Sequence, residues 1–214
     1  NLEEFKETQM CKDMLSALSN YFIYTDADQD NEAITNYWAS KGVTKIYHDL
    51  DDPERQWAVY MPNGLYFEAD EDYEYPVVFC LHGGNNTILM TESYGWSELA
   101  GKEGFITVIP WAQAYSGGDI DANLIVEEIP RIMEVLREEY NIDETRIYAS
   151  GFSAGGRSCI NALMAYPDLF AAGAIQPTSL FPSGEEAVYA NDSGYKTVFS
   201  YEDFERITEY TMPL

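Results

Sequence analysis

Basic side chains are scarce in this sequence. Twelve Lys and Arg stand against 37 Asp and Glu, giving a formal net charge of −25 over 214 residues. Without a basic face there is nothing to neutralise phosphates, so nucleic acid is excluded as a partner. An anionic membrane surface would repel the chain for the same reason. Long apolar runs are also missing. The longest, Val77–Leu81 and Gly104–Ile109, are strand-sized, far short of the roughly 18 residues of a spanning helix. The three cysteines, Cys11, Cys80 and Cys159, form no Cys-x-x-Cys pair, which excludes a zinc knuckle and a redox dithiol. Cys80 sits in an apolar strand-like run and Cys159 in a helix-like one, so both read as buried free thiols. Histidine is limited to His48 and His82. No internal repeat is visible.

What is present suits one generous folded domain. Hydrophobic residues make up 46 % and aromatics 14 %, enough for a substantial core and too much for intrinsic disorder. Residues 1–40 read as an N-terminal helical segment, up to about Asn20, followed by an acidic loop. Residues 41–214 read as the main domain. In the acidic loop Asp26, Asp28 and Asp30 alternate as in a calcium loop, but Asn31 replaces the required glycine and Tyr37 the closing Glu. A solvated loop is the better reading, and no metal is expected. Nor is any cofactor.

Beyond Gly42 the pattern predicts two strands, Val43–His48 and Gln56–Tyr60, joined by a turn at Asp51–Pro53. Apolar strands at Tyr75–Leu81, Phe105–Ile109 and Arg146–Ala149 then alternate with helical segments at Tyr94–Ala100, Asn123–Tyr140 and Ala154–Ala165. A run of small apolar residues, Ala171–Ile175, follows. Pro130 is expected to kink or interrupt the second helix. The alternation predicts an α/β fold: a mostly parallel central sheet with helices on both faces and the opening strands as an antiparallel edge.

Strand Arg146–Ala149 runs into Gly151-Phe-Ser-Ala-Gly155, a G-x-S-x-G sequence set between strand and helix. In that setting the turn strains the serine backbone, requires small residues two places either side, and points Oγ out at the carboxyl edge of the sheet. A glycine-rich turn of this kind could instead hold phosphate. The loop lacks a basic residue and the chain lacks G-x-x-x-x-G-K, which disfavours that alternative. Upstream, His82-Gly83-Gly84 ends a strand. Glycines there let backbone N–H groups approach a carbonyl on which negative charge develops. Gly83, Gly84 and Asn85, with Ala154 N–H, are therefore candidate oxyanion donors for a Ser153 nucleophile. Trp111, Tyr115 and Phe152 are candidate pocket aromatics near the same edge, while Trp96 reads as core.

These motifs occur in a telling order. Tyr75–Gly84, Gly95–Ala100 with Glu103–Phe105, Asp143–Tyr148 and Gly151–Gly156 together resemble the α/β-hydrolase esterases of the polyhydroxybutyrate-depolymerase and feruloyl/acetylxylan-esterase type. The resemblance covers roughly Gln56 to Pro177. It implies an α/β-hydrolase fold and a serine carboxylic-ester hydrolase working through an acyl-enzyme on Ser153. It also implies small-molecule or polysaccharide-linked esters, of plant-wall or polyester type, as substrates, and a secreted or cell-surface setting. Two alternatives stay open: a non-catalytic ligand-binding relative or inactive fragment lacking the acid and histidine, and a serine peptidase resembling the prolyl oligopeptidases.

The sequence departs from this pattern after the serine. An acid and then a histidine should follow Ser153 in chain order, yet both histidines precede it. His82 belongs to the oxyanion loop and His48 to an early strand, so no general base is assigned. Asp203 is a candidate acid if Thr197–Ser200 forms the next strand, although Glu202, Glu205 and Glu209 give its surroundings the look of a solvated helix. Thr211–Leu214 resembles the opening of a further core strand. The expectation is a chain lacking the last strands of the fold, the remainder being removed, disordered or carried on a second polypeptide. The opening at Asn1, with no charged-then-apolar leader, reads as a removed leader or a start inside a longer gene.

Overall fold

The computed structural model describes residues 32–49, 51, 55–83, 88–111, 115–116, 119–120 and 124–176. The expected N-terminal helix, the alternating aspartates at 26, 28 and 30, Cys11, Gly84, Asn85 and Asp203 lie outside these residues. Helix α1 (Glu32–Ser40) leads into strands β1 (Val43–His48), β2 (Trp57–Pro62) and β3 (Tyr75–Leu81). The short helix α2 (Ile88–Glu92), helix α3 (Trp96–Glu103) and strand β4 (Ile106–Pro110) follow. A small ladder, β5 (Tyr115–Ser116) and β6 (Asp119–Ile120), precedes α4 (Leu124–Glu139), β7 (Ile142–Gly151), α5 (Ala154–Ala165) and β8 (Ala172–Ile175).

The main sheet has strand order β1-β2-β4-β3-β7-β8. Strands β3, β4, β7 and β8 pair in parallel, whereas β1 pairs antiparallel with β2 and β2 antiparallel with β4. The antiparallel edge is thus where the early strands and their short connection place it. Strand β7 runs from Ile142, longer than the Arg146–Ala149 segment expected. Its regular ladder with β3 begins only at Ile147, because the register shifts between Tyr75 and Val77. Within the excursion Asp143 accepts from Thr145 N at 2.8 Å and pairs with Arg146.

Period-two alternation divides the core into two layers. Val77, Phe79 and Leu81 of β3 face a cluster built with Ile125, Ile129, Ile132, Met133 and Leu136 of α4 and Cys159, Ala162 and Leu163 of α5. Val78 and Cys80 face the opposite cluster, with Trp38 of α1, Val43, Ala58, Tyr60, Ile88 and Ile109. Cys80 and Cys159 are both free and buried. Burial drives the Cys80 thiol well above its ordinary range and Cys159 to about 12, so neither forms thiolate readily.

The expected interruption at Pro130 does not occur: α4 is continuous from Leu124 to Glu139. A proline there removes the N–H that would bond the carbonyl of Val126, four residues back. That carbonyl instead accepts the Tyr166 hydroxyl at 2.6 Å. The missing helical bond is replaced from the end of α5, and the apolar stripe of α4 stays in register.

Candidate active site

The carboxyl ends of the parallel strands carry the motif residues. Strand β7 ends at Gly151, and α5 begins three residues later at Ala154, with Phe152 and Ser153 between. Ser153 lies between them with φ 55° and ψ −118°, and is one of two non-glycine residues at positive φ among those described. Such a conformation is strained, by roughly 1–3 kcal/mol, and persists only where the surroundings impose it. Here the surroundings are backbone. A Cβ on Gly151 would stand 2.0 Å from Gly155 O, and a Cβ on Gly155 would stand 2.1 Å from Leu81 O. The turn can close this tightly against β3 only because both positions lack side chains.

Ser153 is exposed and occupies the N-cap position of α5, yet its hydroxyl makes no capping bond. Gly155 N–H donates to Phe152 O at 2.9 Å and Gly156 N–H to Ser153 O at 3.0 Å. Among the described residues Ala154 N–H has no backbone acceptor, and it sits at the positive end of the α5 dipole. Phe152, preceding the serine, is 38 % exposed and meets Tyr94 edge-on at 5.7 Å.

The neighbouring strand brings His82 and Gly83 to the same edge, since Leu81 pairs with Gly151. His82 is buried, and its Nδ1–H donates to Gly83 O at 2.8 Å. Its ring lies 5.9 Å from that of Trp111, which is half-buried against the second core layer. Burial lowers the His82 pKa to about 4, outweighing the Gly83 and Trp111 carbonyls that favour the charged form. Burial thus favours the neutral imidazole at pH 7.

A histidine depressed in the folded state binds its proton more readily when unfolded. Stability is complete above about pH 6.5 and declines as pH falls toward 4, by about 3 kcal/mol if His82 acts alone. His48, also lowered mainly by burial, adds to the same slope. Melting temperature measured from pH 7 to 4 is expected to fall less steeply in His82→Gln than in the parent. Parallel curves would exclude the assignment.

His48 belongs to a different neighbourhood. It stacks on Trp57 at 4.1 Å, with Nε2 3.4 Å from the Tyr140 hydroxyl. Along the carboxyl edge, His48 pairs with Trp57, Trp57 with Pro110, and Leu81 with Gly151. Four strand spacings of about 4.8 Å put it about 19 Å from the Gly151 turn, too far to serve Ser153. Tyr115 falls in the β5–β6 ladder, and only its backbone is described. No cluster of metal-ligating side chains exists among the described residues, and none of the described helices is long and apolar enough to cross a membrane.

One feature escaped the sequence reading. Lys45 on β1 makes an ion pair of 2.5 Å with Glu92 at the end of α2, and Tyr60 donates to the same carboxylate oxygen. Both ionic side chains are under 10 % exposed. No motif marks such a pair, because its members lie 47 residues apart.

Comparisons with known proteins agree with this architecture. No protein-family model matches the chain. It is 34 % identical over 90 residues to a bifunctional acetylxylan esterase/xylanase from Neocallimastix patriciarum, covering 41 % of this chain and 13 % of that protein. It is 29 % identical over 126 residues to poly(3-hydroxyalkanoate) depolymerase C from Paucimonas lemoignei, covering 54 % of this chain and 29 % of the relative. The chain thus spans less than a third of the length of either. Among solved structures, the ferulic acid esterase of Anaeromyces mucronatus in complex with ferulic acid superposes with a TM-score of 0.51 at 25 % identity. The match covers 76 % of this chain and 66 % of that one. The chain has the α/β-hydrolase fold and is similar over part of its length to an acetylxylan esterase/xylanase and a poly(3-hydroxyalkanoate) depolymerase.

Proposed function

We propose that this chain is a serine carboxylic-ester hydrolase acting through an acyl-enzyme on Ser153, with Ala154 N–H and the Gly83–Asn85 backbone as oxyanion donors. The observation that carries the reading is the Ser153 turn: an exposed serine at φ 55°, wedged between Gly151 and Gly155 at the start of α5. In the proposed reaction Ser153 Oγ attacks the ester carbonyl, and its proton passes to a base. Ala154 N–H and the backbone of the Gly83–Asn85 loop stabilise the oxyanion that forms. The tetrahedral intermediate collapses to an acyl-enzyme with loss of the alcohol, and water attacks that ester to release the acid. The base is not His48, about 19 Å away, and burial, which lowers the His82 pKa to about 4, leaves that imidazole a weak proton acceptor, so no base is assigned. Asp203 is retained as a candidate acid outside the described residues.

The similarity to an acetylxylan esterase, a ferulic acid esterase and a polyester depolymerase favours polymer-borne acyl or phenolic esters as substrates. Trp111 and Phe152 stand at the right edge to contact an acyl or aromatic group. A secreted or cell-surface setting fits such substrates.

The test is made on the whole gene product. Treatment with an activated organophosphonate is expected to stop turnover of short acyl esters, with the adduct mapping to the peptide containing Ser153. Turnover that survives stoichiometric labelling, or an adduct on another serine, would exclude the assignment. Retained binding of a xylan ester without any turnover would favour a non-catalytic relative.

A further inference from the structure

An aromatic pair borders the Ser153 turn, and one of its members comes from outside every site motif. Phe152, the residue before Ser153, is exposed rather than committed to the core. Its ring meets that of Tyr94 at 5.7 Å between centroids and 66° between planes, an edge-to-face contact. Tyr94 is half-buried and stands in the turn between α2 and α3.

The backbone holds Tyr94 in place. Its N–H donates to Thr91 O at 3.0 Å, Gly95 N–H donates to Glu92 O at 3.2 Å, and Leu99 N–H to Gly95 O at 2.9 Å. Gly95 takes φ 87°, the left-handed conformation that lets the chain turn between the two helices. Both sides of this turn are anchored. Thr91 is fully buried, and Trp96 packs on the second core layer, 6.2 Å from the Phe105 ring. On the other segment, Phe152 N–H donates to Leu81 O at 3.4 Å. The two rings are thus set by separately fixed stretches of backbone, which is the preorganisation that a binding surface needs.

An edge-to-face pair leaves ring surface free for a third aromatic group. Consecutive Cα atoms stand about 3.8 Å apart, so an ester held at Ser153 can lay a ring on a short arm of its acyl or alcohol part against the pair. The net charge of −25 disfavours anionic rings and leaves uncharged ones. We propose that Tyr94 is a specificity-determining residue: with Phe152 it forms an aromatic wall beside Ser153 that selects esters carrying an uncharged aryl group. This rests on the reading of Ser153 as nucleophile, and it adds a substrate-contacting residue from the α2–α3 turn.

The test uses the whole gene product with Tyr94→Leu, Tyr94→Phe and Phe152→Leu. Methyl cinnamate carries a ring on the acyl side, phenyl acetate carries one on the alcohol side, and methyl acetate carries none. The readout is the ratio of kcat/KM for each aryl ester to that for methyl acetate. In Tyr94→Leu this ratio is expected to fall about tenfold for at least one aryl ester, and that ester shows on which side the ring lies. Tyr94→Phe is expected to keep the parental ratio, because the ring and not the hydroxyl makes the contact. Phe152→Leu, an exposed substitution that does not endanger folding, is expected to lower the same ratio. Parental ratios for both aryl esters in Tyr94→Leu overturn the proposal, and so does a ratio in Tyr94→Phe as low as in Tyr94→Leu. Should Tyr94→Leu fail to fold, a parental ratio in Phe152→Leu overturns it alone. Cinnamyl alcohol, uncharged and without an ester bond, gives a readout that needs no turnover. Its Kd, followed by saturation-transfer NMR, is expected to rise about tenfold in Tyr94→Leu, and an unchanged Kd overturns the proposal. Failure of the Ser153 assignment is read separately, from the labelling experiment.

Discussion

Replacing Ser153 with alanine is expected to lower ester turnover of the whole gene product by about 10⁴-fold or more, with little change in fold. The size of the effect follows from the role: without Oγ there is no acyl-enzyme, and only oxyanion stabilisation and substrate binding remain. Alanine keeps the Cβ, and with it the strain of φ 55°. Glycine at the same position removes both the hydroxyl and the strain. Ser153→Gly should therefore be as inactive as Ser153→Ala yet more stable than either the parent or the alanine variant, by roughly 1 kcal/mol or more. Chemical denaturation of the three proteins beside their turnover decides the point. An active Ser153→Ala protein would remove the proposed chemistry. A Ser153→Gly protein no more stable than the parent would mean that the turn imposes no strain.

The second large effect is structural. Gly155→Ala is expected to destabilise the domain by about 3 kcal/mol or more, toward the upper end for point changes. The new methyl would meet Leu81 O at 2.1 Å and His82 O at 2.5 Å, both backbone atoms at the end of the central strand β3. A flexible side chain could swing aside, whereas a strand end held by its ladder to β7 cannot. Relief of the clash must displace either the first turn of α5 or the exit of β3 toward Gly83. The variant should lose activity by more than its folded fraction accounts for. Equilibrium unfolding in urea, read against the parent, measures the first part, and activity per folded molecule the second. Parental stability would mean that the β3–α5 approach is looser than described.

Much of this architecture was legible in the sequence, for identifiable reasons. Strands β1, β3 and β4 announce themselves as short apolar runs between turn residues. Helix α5 is bounded by the Gly151–Gly155 turn, and its predicted limits, Ala154–Ala165, coincide with those observed. The antiparallel edge followed from the short connection between two adjacent strands. The failures are those of tertiary context. Pro130 was expected to kink or interrupt the helix, and the interruption does not occur, because the local rule knows nothing of Tyr166, whose hydroxyl takes the place of the missing N–H. The first half of β7 was missed because Asp143–Arg146 is polar and bows out of the ladder. Helix α1 carries one buried anchor, Trp38, too little for periodicity to register. At the candidate site, the serine and the glycines were readable because the turn restricts them locally. The Lys45–Glu92 pair was not, since nothing in either segment hints at the other.

The Tyr166–Val126 bond has a consequence for how the domain opens. In an ordinary helix a turn can fray alone, because each carbonyl finds its partner within the same segment. At Pro130 the partner sits instead on Tyr166, the residue that caps the C-terminal end of α5. Melting that turn of α4 therefore releases the end of α5, and loosening the end of α5 leaves the Val126 carbonyl without its donor, the Tyr166 hydroxyl. The residue that should have made α4 the weakest helix of the layer ties it to the helix that follows Ser153, so the two belong to one cooperative unit and open together rather than in turn.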